Sequence, residues 1–464
     1  MSEPRVVRCE AMPADLPHTP VAIVGAGACG LTAALMLRDA GMDCVLLERD
    51  ASPAGSTALS SGFIPAAGTR VQQAAGVVDT AEDFARDIQA KARGSAAPVL
   101  VAAYTAAIAP ALDTLQQRHG IAFELLDGFL YPGHGVRRMH AVGQRSGAAL
   151  MACLQVAAER AGATLLSQAR VVELHVDAQQ RVRGVGFERP DGTLETLRCD
   201  TLLLACNGFG GHAAMVDELL PEMRGALFAG HAGNDGSAIR WGRALGCALA
   251  DLGGYQGHGS WAVPQGALIS WALMMQGGVQ INALGLRFHD ESAGYSEAAV
   301  AVLAQPGGVA WCVFDAALLP LARSFADFRD AEAAGALRHC DDAAALATVL
   351  GCAPAVLGDT LAVIDAGRTD AFGRRFERRL QAPYCTIKVS GALFHTQGGL
   401  HIDAHMRVRR EDGTAMPNLL AAGGAARGVS GNAVWGYLSG NGLLSAVAGG
   451  YIAARTVVAD AACR

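Results

Sequence analysis

The chain has 464 residues, 51% of them hydrophobic and 17% charged, and carries a net charge of −6. That length is enough for two or three domains with sizeable cores, and an acidic balance without a dense Lys/Arg stripe argues against a nucleic-acid binder. The twelve cysteines stand singly, several inside apolar runs (Cys44, Cys153, Cys206, Cys247, Cys312). This suits small buried hydrophobes in a reducing cytosol and discounts a metal or iron–sulfur centre.

The first twenty residues lack the apolar core of a secretory signal, and no stretch reaches roughly 18 unbroken apolar residues. The expectation is a cytoplasmic protein with no membrane span. Residues 1–17 read as a loose tail.

The strongest signal follows. An apolar run, Val21–Val24, meets Gly25, Gly27 and Gly30 in GxGxxG spacing, then a helical pattern (Leu31, Ala34, Leu35, Leu37) ended by Gly41. A second apolar run, Cys44–Leu47, closes on Glu48. Gly25 permits the tight strand-to-helix turn, Gly27 lets backbone approach a pyrophosphate, and Gly30 lets the helix pack on the strand. The helix start offers free N–H groups and a positive dipole end to phosphates. Glu48 suits an acceptor for ribose hydroxyls. The spacing therefore predicts a dinucleotide site.

Pro53–Arg70 is dense in Gly and Ser, with little strand or helix periodicity. It reads as a cofactor-approaching segment, the plain alternative being a surface loop. Residues 80–118 look helical. Gly128–His140, holding Tyr131, His134, Arg137, Arg138 and His140, is irregular and is either a site lining or a solvated loop. Ser146–Gly162 reads as an amphipathic helix. Strand signals follow at Thr164–Val176, Arg181–Glu188 and Leu194–Cys199, with a DG turn at Asp191-Gly192. Thr201–Ala205 is a further strand running into Cys206-Asn207-Gly208, a glycine crossing suited to a cofactor face. Gly233–Gly236 opens a helix through Leu245, with Asn234 or Asp235 as cap.

From about 256 to 382 the texture becomes aromatic and helix-rich. A strand pattern resumes over Pro383–Leu400. Asn418–Gly424 is a strand into glycines, and Gly440-Asn441-Gly442 opens a closing helix. The fold expectation is α/β: a Rossmann-like dinucleotide-binding domain (1–255 and 383–464) with an inserted α+β capping domain (256–382).

Taken together, GAGACG, GSTALSSGF, CNGFGG, GNDG, GLRFHDE (Gly285–Glu291), HTQGGL (His395–Leu400) and AAGG…SGNGLL (Ala421–Leu444) resemble, nearly end to end, the FAD-dependent fumarate reductase/succinate dehydrogenase flavoprotein superfamily. Within it, the chain is most similar to the 3-ketosteroid dehydrogenase branch. The resemblance implies extended FAD held by Gly25, Ala26, Gly27, Cys29 and Gly30, then by Glu48 and Arg49. It adds Ser56, Thr57, Ser60, Ser61 and Gly62 from the Ser/Gly segment, and Val171, Ala205, Cys206, Asn207, Gly208 and Asp235. The closing segment contributes Gly423, Gly424, Asn441, Leu443 and Leu444. Because Ala54–Gly62 contains no histidine, the FAD is expected to be non-covalent.

Departures from the superfamily pattern narrow the chemistry. Dicarboxylate reductases carry a proton-donating arginine where this chain has Tyr295, a Thr-Glu pair where it has Ser270-Trp271, and a clamping arginine absent between Val429 and Gly442. The ketosteroid branch instead has a tyrosine after its motif, an aromatic at the Trp271 position and a tyrosine before a glycine-rich turn, as at Tyr437–Gly442. By that resemblance Tyr295 is the base, while Tyr437 and the Gly442 N–H polarise a carbonyl. Trp271, His258, His395 and Tyr131 are expected to contact a small-molecule substrate. The expected activity is α,β-desaturation or reduction of a ketone, preferably a small cyclic one, with an external electron acceptor or donor. A fumarate-reductase-like enoate reductase and a non-catalytic flavin-binding protein are the alternatives.

Overall fold

The computed structural model describes residues 3–127, 130–365 and 367–463. Gly128, where the irregular segment is expected to begin, lies outside them.

The strand His18–Val24, the helix Ala28–Asp39 and the strand Cys44–Leu47 form the predicted crossover. The two strands pair in parallel, from Val21 opposite Cys44 to Val24 opposite Leu47. Leu194–Leu204 lies parallel on the other side, and Ala415–Ala421 joins its last residues, Leu202 facing Leu419. Strands covered on both faces need no polar alternation, which is why these segments read as unbroken apolar runs. The core here includes Ile23, Leu35, Leu46, Leu203, Leu420 and Val447.

Several boundaries differ from the sequence expectation. Arg5–Arg8 is no loose tail: it pairs in parallel with Arg170–Val176, and Arg5 forms an ion pair with Glu173. Thr164–Val176 is two strands, Thr164–Leu166 and Arg170–Val176, parted where Gln168 takes φ +53. Leu194–Cys199 and Thr201–Ala205 are instead one strand, Leu194–Leu204. The helix Ser237–Leu245 is capped by Gly236 at φ +75 without a side-chain cap. Asn234 therefore does not cap it, although Asp235 Oδ1 accepts from Ser237 N at 3.1 Å.

The closing helix, Asn441–Ala462, packs along Ala28–Asp39. Gly450 makes this approach possible: a Cβ there would lie 2.3 Å from the Cys29 carbonyl oxygen. By length and composition, Asn441–Ala462 and Pro98–His119 could each cross a membrane. Neither is an unbroken apolar run, because isolated polar residues interrupt both. Each has half or more of its apolar window buried within the folded chain.

The chain divides into two compact units. The larger comprises Met1–Leu220, Gly230–Tyr255 and His395–Arg464; the smaller comprises Pro221–Ala229 and Gln256–Phe394. The expected boundary at 382/383 precedes the strand Tyr384–Thr396, whose residues Tyr384 to Ser390 pair with Val309–Asp315. The smaller unit continues along this strand to Phe394. Leu227–Phe228 joins the same strand in parallel, so residues 221–229 belong here as well. The smaller unit is built on a sheet ordered Ala267–Leu268, Tyr255–Ala262, Tyr384–Thr396, Val309–Asp315, Val279–Ile281. Ile269, Leu273, Phe314, Phe328 and Ile387 lie in its core.

Candidate active site

In the larger unit, the glycine turn has the geometry that its spacing requires. Gly25 sits at φ +100, and a Cβ there would lie 2.6 Å from the Ala205 carbonyl oxygen. At Gly30 a Cβ would lie 2.0 Å from the Gly25 carbonyl oxygen, whereas at Gly27 its nearest neighbour is Thr57 Oγ1 at 3.6 Å. Gly27 caps the helix Ala28–Asp39 without any side-chain acceptor. Past Ala28, the first-turn N–H groups of this helix thus have no side-chain cap competing for them. Ala28 N donates to Thr57 Oγ1 at 3.2 Å, tying in the Ser/Gly segment.

Glu48 is buried, and its carboxylate accepts from Ala26 N at 2.9 Å and Asp50 N at 3.0 Å. These bonds fix its orientation and leave acceptor capacity over. Arg49 pairs with Asp235 at 3.0 Å. Asn207, at φ +68, donates to Ser56 Oγ at 2.8 Å, and Asn234 donates to the same oxygen at 3.1 Å. Ser60 Oγ donates to Thr57 O and accepts from Gly62 N. Cys29 is a packing residue whose thiol burial pushes up to about 12. Val171 is buried on Arg170–Val176, and Ser61 is exposed.

A second group surrounds the start of the closing helix. Gly442 occupies the second position of Asn441–Ala462, after the cap Gly440, where the helical pattern supplies its N–H with no acceptor. A Cβ at Gly442 would lie 2.8 Å from both Cε1 and Nε2 of His395 and 3.7 Å from the Tyr437 hydroxyl. The His395 and Tyr437 rings meet edge to face at 5.6 Å. Burial brings the His395 imidazole down to about 4, so it is neutral at physiological pH. Asn441 Oδ1 and Ser445 Oγ are buried without a hydrogen-bond partner. Ser445 escaped the sequence reading, although it lies one turn from Asn441 on the same helix face.

Over its described part the Gly128–His140 segment is mixed: Leu130, Gly133, Gly135 and Arg137 are exposed, while His134, Arg138 and His140 are buried. Arg138 bridges Asp79 and Asp87, His140 meets Thr69 Oγ1 at 2.7 Å, and His134 Nε2 lies 3.0 Å from the Ser439 carbonyl oxygen. Tyr131 is half-buried with its ring edge-on to Phe63. These contacts shape the approach to Gly440.

The third group belongs to the smaller unit. Tyr295 is the first residue of the helix Tyr295–Leu303. Its ring stacks on His258, centroids 4.8 Å apart and planes 15° from parallel. Trp271 stands edge-on to the same histidine at 5.7 Å. It is almost wholly buried, and its indole N–H donates to the Glu291 carbonyl at 2.9 Å. Burial holds His258 at about 3, while Ser260 N donates to its Nδ1 at 3.2 Å. Glu291 is wholly buried. Burial raises its carboxyl, but the Arg287 and Arg374 guanidinia more than offset this and hold it at about 2. Arg287 also pairs with Asp370.

An FAD binding domain model matches residues 20–443. The chain belongs to this family.

As a family member it is an FAD-dependent oxidoreductase, and the buried orphan atoms of Asn441 and Ser445, the uncapped helix start at Gly27 and the oriented Glu48 fit that cofactor. Its curated relatives include a probable fumarate reductase, Ifc3, of Shewanella frigidimarina (strain NCIMB 400), 28% identical over 94% of this chain and 74% of the relative. Among solved structures, an open flavocytochrome c3 fumarate reductase is similar with a TM-score of 0.81 and 27% identity, over 96% of this chain and 79% of the other. A 3-ketosteroid-Δ4-(5α)-dehydrogenase from Rhodococcus jostii RHA1 shares the fold, with a TM-score of 0.77 at 22% identity over 97% of this chain and 100% of the other.

Proposed function

We propose that this flavoprotein acts on the C–C bond α,β to a ketone, desaturating it or reducing it, with a small cyclic ketone as preferred substrate. In the desaturating direction Tyr295 Oη takes the α-proton. The Tyr437 hydroxyl and the Gly442 N–H share the carbonyl oxygen and stabilise the developing enolate. Bound FAD supplies the hydride chemistry at the β-carbon, and an external acceptor or donor completes the cycle. We also propose that the FAD is non-covalent, that neither long apolar helix crosses a membrane and that the enzyme is cytoplasmic. All twelve cysteines being unpaired supports the last of these.

The observation that carries the reading is the phenol at Tyr295, stacked on a histidine that stays neutral. Arg287 and Arg374, the guanidinia near the GLRFHDE motif, are both committed to carboxylates. Neither is therefore placed to replace the arginine donor of dicarboxylate reductases.

Anaerobic titration of the holoenzyme tests it. Bleaching of the flavin spectrum by a saturated cyclic ketone is expected. If ketones leave the spectrum unchanged while fumarate reoxidises the reduced enzyme, the dicarboxylate-reductase reading replaces it; the similarity to the Shewanella protein favours that second reading. FAD that stays bound yet is reduced by no substrate or reductant marks a non-catalytic binder. Flavin remaining in the precipitate after acid denaturation would contradict non-covalent binding.

A further inference from the structure

Three buried polar side chains of the larger unit form a single file from the closing helix to the half-buried His395. Asn441 Nδ2 donates to Ser430 Oγ at 2.9 Å. Ser430 Oγ donates to Gln397 Oε1 at 3.0 Å, and Gln397 Nε2 lies 3.1 Å from His395 Nδ1. Gln397, Ser430 and Asn441 are each 4% exposed or less, so water does not compete for the two bonds among them. We propose that Gln397 is a positioning residue that holds His395 in the tautomer with its proton on Nε2, through a one-way hydrogen-bond relay running from Asn441.

The argument is one of hydrogen count. An amide nitrogen has only protons to offer, so its contact with Nδ1 requires a lone pair there. The neutral ring then carries its single proton on Nε2. Ser430 has one proton and gives it to Gln397 Oε1, while its lone pair receives the Asn441 amide, so every link points the same way. The rival partner of Nδ1 is the Thr396 carbonyl oxygen, 3.4 Å away. That is beyond the usual N–H···O length, whereas the glutamine contact is within it. Burial keeps the ring neutral at physiological pH, so the choice of tautomer is a real one.

The consequence concerns what the site accepts. His395 Nε2 is the atom nearest, with Cε1, to the space beside Gly442. With Nε2 protonated, His395, Tyr437 and the Gly442 N–H can all present protons to one ligand oxygen. The site then selects a carbonyl or carboxylate oxygen and disfavours an amine or ammonium at that point. The inference deepens the reading of this site given above, and rests on it only for which oxygen His395 serves. The relay itself is a property of the folded chain. His395 and Asn441 are legible as site residues in the sequence, whereas Gln397 and Ser430 are not. The one signal was the polar Gln397 amid the small and apolar residues of HTQGGL.

The experiment is a long-range 1H–15N correlation spectrum of holoenzyme carrying 15N-labelled histidine, recorded at neutral pH without substrate. His395 is assigned by the signals missing in His395→Asn. A pyrrole-type Nε2 and a pyridine-type Nδ1 are expected. In Gln397→Glu the new carboxylate can only accept, so the pattern should invert, with the proton on Nδ1 and the flavin absorbance of the bound cofactor retained. A wild-type His395 already protonated at Nδ1, as a reversed amide would give, overturns the proposal, as does an unchanged pattern in Gln397→Glu. Should that variant not fold, the wild-type spectrum decides alone. Because no substrate is present, the result stands whichever bond the enzyme acts on.

Discussion

The ring of Tyr295 lies flat on that of His258, 4.8 Å between centroids and 15° between planes. A stack of this kind fixes a phenol ring in orientation. Tyr295→Phe should therefore preserve the stack, the fold and bound FAD while removing the proposed proton acceptor. Flavin reduction by a saturated ketone, followed by stopped flow, is expected to slow by about 10²- to 10⁴-fold. Near-normal reduction would exclude Tyr295 as the base.

Gly442 offers a separation of stability from activity. A Cβ there meets His395 Cε1 and Nε2 at 2.8 Å, so the ring end of His395 has to give way, while the backbone of this first helical turn accepts alanine. Gly442→Ala should shift the melting temperature by only a few degrees, an overpacking cost of about 1–3 kcal/mol at most. Turnover should fall about a hundredfold, because the ring and the carbonyl it serves are displaced. A variant that loses activity and melting temperature together would mean that the glycine is merely structural.

The three glycines of the first turn should also part company. Gly30→Ala drives a methyl to 2.0 Å from the Gly25 carbonyl oxygen, an overpacking that costs about 1–3 kcal/mol or more. Its thermal midpoint should fall even without cofactor. At Gly27 the nearest atom is 3.6 Å away, so Gly27→Ala should fold normally and lose FAD affinity instead, as fluorescence titration would read. Equal melting temperatures for the two apoproteins would contradict the packing argument.

Acid should weaken the fold before its carboxylates protonate. His134 is held at about 4, His258 at about 3 and His395 at about 4, mainly by burial, against 6.5 when exposed. Between 6.5 and about 4 the unfolded chain binds protons that the folded chain refuses. Stability therefore drops as pH falls, by about 1.4 kcal/mol per pH unit for each histidine. Glu291, at about 2 instead of 4.5, extends the loss to lower pH. Urea midpoints measured across this window should decline steadily on acidification, and His134→Gln should flatten the decline. A midpoint indifferent to pH in this range would contradict the burial of these rings.

The cofactor turn was legible in the sequence because its determinants are local: Gly25, Gly27, Gly30 and Glu48 act within one strand–helix–strand unit. The start of the closing helix was legible for the same reason. What escaped depends on pairing across sequence. Arg5–Arg8 has no apolar pattern, and only its partner Arg170–Val176 makes it a strand. Arg138 and His140 could be read equally as site lining or as solvated loop, because the partners that bury them, Asp79, Asp87 and Thr69, lie far earlier in the chain. Residues 221–229 join the smaller unit through strand pairing at Leu393, which no local composition signals. Trp271 could be placed in the second unit, but not its bond to a backbone carbonyl twenty residues away.

Gly450 against the Cys29 carbonyl, and Ala415–Ala421 beside Leu194–Leu204, mean that the cradle joins segments far apart in sequence. The nucleotide turn by itself is an open half-site, closed only by long-range packing against the helix Asn441–Ala462. Removing that one helix should leave a chain that still holds most of its strands yet takes up no flavin.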